Sequence, residues 1–152
     1  MIQRIQSVYL LIAAILMAVV VCTPLTVLIG ASDSFYLFKS MGVFENGITL
    51  VYPSWGIAVC AVISALLSFV SIFLFKKRKL QIKMSYVSIV FIILFYTAFA
   101  AYLYTGQAVL DAKFAKVEYG LALPAISLIL TVLALSKIKA DERLVQSLNR
   151  IR

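Results

Sequence analysis

The sequence predicts an all-α membrane protein with four transmembrane helices. Of its 152 residues, 64% are hydrophobic and 13% are charged, whereas soluble domains average about 45–50% apolar and about 25% charged. A helix crosses the roughly 30 Å hydrocarbon core with about 20 apolar residues, and lipid excludes unpaired backbone groups. Stretches without ionisable side chains place the spans, within one domain covering 1–152, at about residues 5–29, 54–75, 84–104 and 119–136.

The first span resembles a signal peptide in one respect, because Arg4 precedes its apolar run. That run exceeds the roughly 7–15 apolar residues of a signal peptide, so we expect the span to be retained. Pro24 has no amide hydrogen to donate and is expected to bend or end the helix near its outer end.

The basic residues predict the orientation. All but three of the 14 lie before the first span, in the basic link between the second and third spans (KKRKLQIK, residues 76–83), or after the fourth span. Lys39, Lys113 and Lys116 are the exceptions. By the positive-inside rule, both termini and the basic link are cytoplasmic. We therefore interpret the basic link as the segment that fixes the orientation of the protein in the membrane. The alternative is that it contacts a partner.

The loops between the spans suggest further elements. Gly30 to Pro53 holds two aromatic and β-branched runs around Asn46-Gly47, a pair typical of hairpin turns. A short outer β-hairpin is therefore predicted at about residues 34–52, covered by the bilayer surface or by another protein. The loop from Thr105 to Glu118 is predicted to be a short surface helix or an extension of the third span.

The tail at residues 137–152 is predicted to be an amphipathic C-terminal helix. Leu144, Leu148 and Ile151 follow at i, i+4 and i+7 and form one apolar stripe. Such a helix can lie flat on the inner membrane surface or dock on a partner.

The composition argues against most site chemistry. The chain contains no histidine, and its six carboxylates all lie outside the predicted spans. Haem and zinc sites based on imidazole, and Ser-His-Asp catalysis, are thereby excluded. We predict no catalytic residue, no cofactor and no metal, and a protein that is not an enzyme. The net charge is +8, and most of the basic residues that produce it flank the ends of the predicted spans, where anionic headgroups attract them. Membrane lipids are therefore expected as partners, and nucleic acid is not.

Two patterns lie within the spans. Small residues at Ala58, Ala61, Ala65 and Ser68 form a stripe that lets another helix approach closely, whether internal or from a partner. Hydroxyl groups are expected at helix contacts, or alternatively lining a cavity; they belong to Ser64, Ser68, Thr97, Ser127 and Thr131. Cys22 and Cys60 are interpreted as buried apolar residues, with a disulfide as the alternative.

The opening MIQRIQSVYLLIAAI, the four spans, the basic link and the closing IKADERLVQSLNRIR together resemble an uncharacterised family of small four-helix inner-membrane proteins of Bacteroidota. The resemblance implies a bacterial cytoplasmic (inner) membrane location and this topology, but no catalytic residue. It draws attention to polar residues near both termini: Gln3, Arg4, Gln6, Asp141, Glu142, Arg143, Asn149, Arg150 and Arg152. Both sets face the cytoplasm in this topology, so they are expected to meet beside the inner headgroups through Arg4 and Asp141 or Glu142.

These patterns favour a non-catalytic accessory or structural subunit of a larger inner-membrane complex, such as a protein-export translocon, in contact with other integral membrane subunits. The alternative is a small oligomeric carrier for lipid or apolar solutes. A membrane enzyme ranks third. The candidate partner contacts are Ala58, Ala61, Ala65, Ser68, Arg4, Asp141, Glu142, Arg143, Leu144, Leu148 and Arg150.

Overall fold

The computed structural model describes residues 2–30 and 34–150. It contains four α-helices and five β-strands. In chain order they are α1 (Ile2–Cys22), β1 (Pro24–Gly30), β2 (Phe35–Lys39), β3 (Gly42–Glu45), β4 (Thr49–Pro53), α2 (Trp55–Phe73), α3 (Arg78–Leu110), β5 (Ala112–Val117) and α4 (Leu123–Arg150). Short 3-10 turns occur at Leu74–Lys76 and Tyr119–Leu121.

All four helices are long and apolar enough to cross a membrane, as the sequence predicts. They alternate in direction and form a bundle in which α1 and α3 each pack against both α2 and α4. One end of the bundle carries the β-strands, and we call it the sheet end. The opposite end carries the basic link and the last turns of α4, and we call it the link end.

The predicted first span is too long. It was placed at about residues 5–29, but α1 ends at Cys22 and the chain from Pro24 to Gly30 forms β1. Pro24 therefore marks the end of the helix. Helix α2 nearly coincides with its predicted span of 54–75, whereas α3 extends beyond its span at both ends, from Arg78 to Leu110. Helix α4 runs from Leu123 to Arg150 as one helix and so continues well beyond the predicted end at residue 136.

The five strands form one antiparallel sheet with the order β4-β3-β2-β1-β5. The predicted hairpin turn is present between β3 and β4, where Asn46 and Gly47 have φ of 48° and 78°. Positive φ at both central residues suits a tight hairpin turn, and Gly47 adopts it without a steric penalty. The predicted two-stranded hairpin at 34–52 is too small, however, because that segment contributes three strands to a larger sheet.

Three helices are each joined to a strand of the sheet by a single residue. Thr23 joins α1 to β1, Ser54 joins β4 to α2, and Asp111 joins α3 to β5. Asp111 has φ 49° and ψ 37°, the left-handed conformation that ends many helices. The chain then reverses into β5, which pairs with β1 from Gly30 to Thr26. Of the two structures predicted for residues 105–118, the extension of the third span is present as far as Leu110, whereas Ala112–Val117 forms a strand and no separate surface helix.

One hydrophobic core joins the sheet to the bundle. Phe38 of β2 is fully buried and meets Phe99 of α3 edge to face, with ring centroids 5.4 Å apart. Leu28 and Val43 from the sheet are also fully buried in this core. A smaller core lies towards the link end, around Leu10 of α1. The sheet is therefore packed onto the helices as part of the same folded unit.

Candidate interaction surfaces

The small-residue stripe of α2 is mostly used inside the molecule. Ala61 and Ser68 are fully buried, and Ala65 packs against the main core. Ala58 is half-buried and borders an apolar groove of about 320 Å³ at the sheet end. Close approach is the expected consequence of such a stripe, and here neighbouring helices of the same chain make use of it.

Hydroxyl groups connect α2 and α3 inside the bundle. The Ser88 Oγ lies 3.1 Å from the Ser64 Oγ and 2.9 Å from the Ser68 Oγ, and all three side chains are fully buried. The Ser88 hydroxyl also reaches the Ser64 carbonyl oxygen at 3.3 Å. We call these three residues the hydroxyl cluster. It satisfies polar groups that lipid could not satisfy.

The remaining hydroxyls also bond to backbone. Ser127 of α4 donates to the Ala13 carbonyl of α1 at 3.1 Å, and Thr131 donates to the Ser127 carbonyl at 2.8 Å. Thr97 is exposed and bonds within its own helix, to Leu94. The hydroxyls assigned to a carrier cavity thus lie in helix contacts or face outwards. Among the buried side-chain nitrogen and oxygen atoms of the described residues, the Ser71 Oγ alone has no hydrogen-bond partner.

Two polar contacts attach the end of α4 to the bundle. The Gln6 Nε2 donates to the Asp141 Oδ2 at 2.6 Å, so polar residues of α1 and of the end of α4 meet, although the contact expected through Arg4 lies outside the described side chains. Lys139 donates to the Tyr86 hydroxyl of α3 and lies 4.7 Å from the centre of that ring. A cation over an aromatic face adds electrostatic attraction. These contacts hold α4 against α1 and α3 beyond its most apolar part.

Beyond these contacts the described side chains of α4 are half-buried or exposed. Arg143 is exposed, and Leu144 and Val145 expose 61% and 40% of their surface. Asp141 and Glu142 are half-buried. The side chains of three further predicted contacts, Arg4, Leu148 and Arg150, lie outside the described part of the structure.

A cleft of about 490 Å³ lies at the link end, and we call it the link cleft. The basic link and the start of α3 form one wall, and the last turns of α4 form the other. Its lining residues are Lys77, Arg78, Lys79, Leu80, Glu142 and Val145. Sequence reasoning identified the charges of this link but could not pair them with α4, because that pairing depends on the fold.

The strand β5 forms an open edge of the sheet. Five of its six residues are exposed, with Ala112 the buried one. Phe114 and Val117 expose 47% and 52% of their surface. Lys116 pairs with Glu118 at 3.2 Å on the surface. We call residues 112–117 the β5 edge. Sequence reasoning missed it, although its two lysines flanking apolar residues are a common feature of edge strands.

Both cysteines are free thiols. Cys60 is buried, as predicted, whereas Cys22 is exposed. The predicted burial of Cys22 is wrong, because it lies at the last turn of α1 and faces away from the core. Within residues 2–30 and 34–150, no three His, Cys, Asp or Glu side chains are grouped as metal ligands would be.

A family model described as "Domain of unknown function (DUF4293)" matches residues 2–151. The match spans the helices and the sheet together. No curated protein and no solved structure matches the chain.

Proposed function

For this chain, which belongs to the DUF4293 family of domains of unknown function, we propose a non-catalytic role as an accessory subunit of a larger bacterial inner-membrane assembly, such as a protein-export translocon. The observation that carries the proposal is the β5 edge, an exposed strand on a sheet that is fixed to four apolar helices. A strand edge offers unpaired N–H and C=O groups that a partner strand can complete.

The proposed orientation follows from charge. In the sequence, the basic residues other than Lys39, Lys113 and Lys116 lie before the apolar part of α1, in the basic link or after residue 136, so by the positive-inside rule the link end faces the cytoplasm. The sheet, with the β5 edge, then lies on the outer side of the membrane. A partner at this edge is therefore a membrane subunit with an extended segment on the outer face.

The chemistry of the β5 edge favours a particular kind of strand. Lys113 and Lys116 are exposed, and lysines on an edge strand discourage pairing between identical edges. An acidic or polar partner strand would instead find opposite charge at Lys113, because Lys116 is already paired with Glu118, and it would find apolar contacts at Phe114 and Val117. The edge thus selects a foreign partner over a second copy of this chain.

The carrier alternative receives no support from the hydroxyl groups. Ser64, Ser68, Ser127 and Thr131 are fully buried and hydrogen-bonded within the bundle. Moving a solute past them would require the helices to separate. We therefore keep a single proposed function.

Site-specific photo-crosslinking in cells tests the proposal. A photoreactive phenylalanine analogue replaces Phe114 in one variant and Phe73 in a control, because Phe73 is 67% exposed at the other end of α2. We expect a discrete adduct with one membrane protein from position 114 and none from 73. The double variant Lys113→Gln/Lys116→Gln should reduce the yield of that adduct, whereas Lys39→Gln should not.

Purification in mild detergent gives the complementary measurement. The proposal predicts that the chain elutes together with the protein captured at position 114. Elution as a lone monomer, together with no adduct at position 114, would contradict the accessory role. Adducts of equal yield at positions 114 and 73 would show random collisions in the membrane and would also contradict it.

A further inference from the structure

We propose that the link cleft binds one anionic phospholipid molecule. Three of its six lining side chains are cations, from Lys77, Arg78 and Lys79, and one is an anion, from Glu142. The lining is therefore strongly cationic, and basic pockets beside membrane helices bind phosphate headgroups. The cleft is open to its surroundings and brings residues of the basic link and of α4, which are far apart in the chain, to one place.

The other two lining residues make the site amphipathic. Leu80 from α3 and Val145 from α4 expose 43% and 40% of their surface. A phosphate alone would leave these apolar side chains in water. A phospholipid brings a charged phosphate and an apolar glycerol and acyl portion together, so it complements both parts of the lining. The cleft volume of about 490 Å³ is of the size of ordinary small-ligand sites.

The depth of the cleft also fits a headgroup. From Trp55 to Phe73, α2 rises about 27 Å, and from Leu123 to Glu142, α4 rises about 28 Å, at 1.5 Å per residue. Both helices start at the sheet end. These lengths match the roughly 30 Å hydrocarbon core. With the sheet at one membrane surface, the cleft lies at the opposite surface, where the phosphates are.

The start of α3 strengthens the cationic field of the cleft. Its first turn contains no acidic residue, and Lys77 at the N-cap position makes no side-chain capping bond. No acidic side chain of its own first turn therefore neutralises the positive end of the helix dipole. Glu142 has an interaction of its own, and its carboxylate opposes a phosphate in the same cleft.

Native mass spectrometry of the full chain released from detergent tests the inference. The protein is titrated with phosphatidylglycerol or with phosphatidylcholine. We expect one phosphatidylglycerol to be retained and phosphatidylcholine to be retained less. Lys77→Gln/Arg78→Gln/Lys79→Gln should weaken retention roughly tenfold or more, since each basic residue contributes about 1 kcal/mol at a membrane surface.

Two further variants separate this site from general charge. Lys39→Gln/Lys113→Gln/Lys116→Gln removes the same charge from the sheet end and should leave retention unchanged. Glu142→Gln should tighten retention, a result that loss of folding cannot produce. The inference is overturned if both triple variants weaken retention equally, if Glu142→Gln does not tighten it, or if inorganic phosphate displaces the lipid. The titration does not involve the partner proposed for the β5 edge, so the two proposals can fail separately.

Discussion

Removal of the Ser88 hydroxyl should measure how much the hydroxyl cluster holds α2 against α3. Ser88→Ala deletes one oxygen at a fully buried position and leaves the small side chain that the close contact needs. Two contacts between hydroxyls are lost, at 3.1 Å to Ser64 and 2.9 Å to Ser68. Ser64 retains the Ser88 carbonyl oxygen at 3.5 Å, whereas Ser68 loses its Ser88 partner.

The expected loss follows from measured hydrogen bonds between membrane helices, which average about 0.6 kcal/mol. Two bonds give about 1.2 kcal/mol, and a buried hydroxyl left unpaired costs about 1 kcal/mol or more. We therefore expect Ser88→Ala to lower the free energy of unfolding by about 2 kcal/mol. The triple variant Ser64→Ala/Ser68→Ala/Ser88→Ala leaves no hydroxyl of the cluster unpaired, so it should lose less than the sum of the three single variants.

Unfolding by SDS in mixed micelles, followed by circular dichroism, provides the measurement. Thr97→Ala is the matched control, since Thr97 is exposed and its hydroxyl bonds only to Leu94 of its own helix among the described contacts. It should change stability by less than about 0.5 kcal/mol, as surface substitutions usually do. Equal effects of Ser88→Ala and Thr97→Ala, or strict additivity in the triple variant, would refute the reasoning.

Three other predictions concern the sheet end. Gly120→Ala should lower the free energy of unfolding by about 2 kcal/mol or more in the same assay, because the added Cβ would lie 2.2 Å from the Pro24 carbonyl oxygen. Gly106→Ala is its control, because the added Cβ would lie 3.9 Å from its nearest neighbour, the Tyr52 ring. It should be neutral or stabilising by up to about 1 kcal/mol. Phe38→Ala should lower the free energy of unfolding by about 3–5 kcal/mol and increase hydrogen exchange across the whole sheet. If the sheet were not packed on the helices, the substitution would leave this exchange unchanged. A lipid-soluble maleimide should label exposed Cys22 well before buried Cys60, and equal rates would contradict their placement.

The apolar helices were predictable because length and hydrophobicity decide which segments can cross a membrane. The strands were not predictable, because their sequences do not differ locally from those of buried helices. The run from Leu25 to Ile29 is as apolar as α1 and of strand length, and periodicity alone does not separate a buried strand from a buried helix. Pro24 was the available signal. Residues 112–117 become a strand by pairing with β1, since strand formation depends on neighbours.

The candidate surfaces were predictable to a similar extent. The sequence predicts a contact between polar residues near the two termini through Arg4, and the described contact is instead between Gln6 and Asp141. The stripe at Ala61 and Ser68 was correctly identified as a packing face, but sequence spacing carries no information on which helix packs there. The β5 edge and the link cleft each combine segments far apart in the chain. Such surfaces exist only once the topology is known.

The single-residue joints between helices and sheet restrict axial sliding in the bundle. Displacement of α1, α2 or α3 along its axis would pull an attached strand out of register with its neighbours, and a slip of one residue turns every side chain to the opposite face. Only α4 is joined to the sheet by a longer segment, residues 118–122. The position of α4 along the bundle axis is set by packing and by contacts such as Gln6 with Asp141. If one helix shifts when this protein assembles, it is α4, and the link cleft would change width with it.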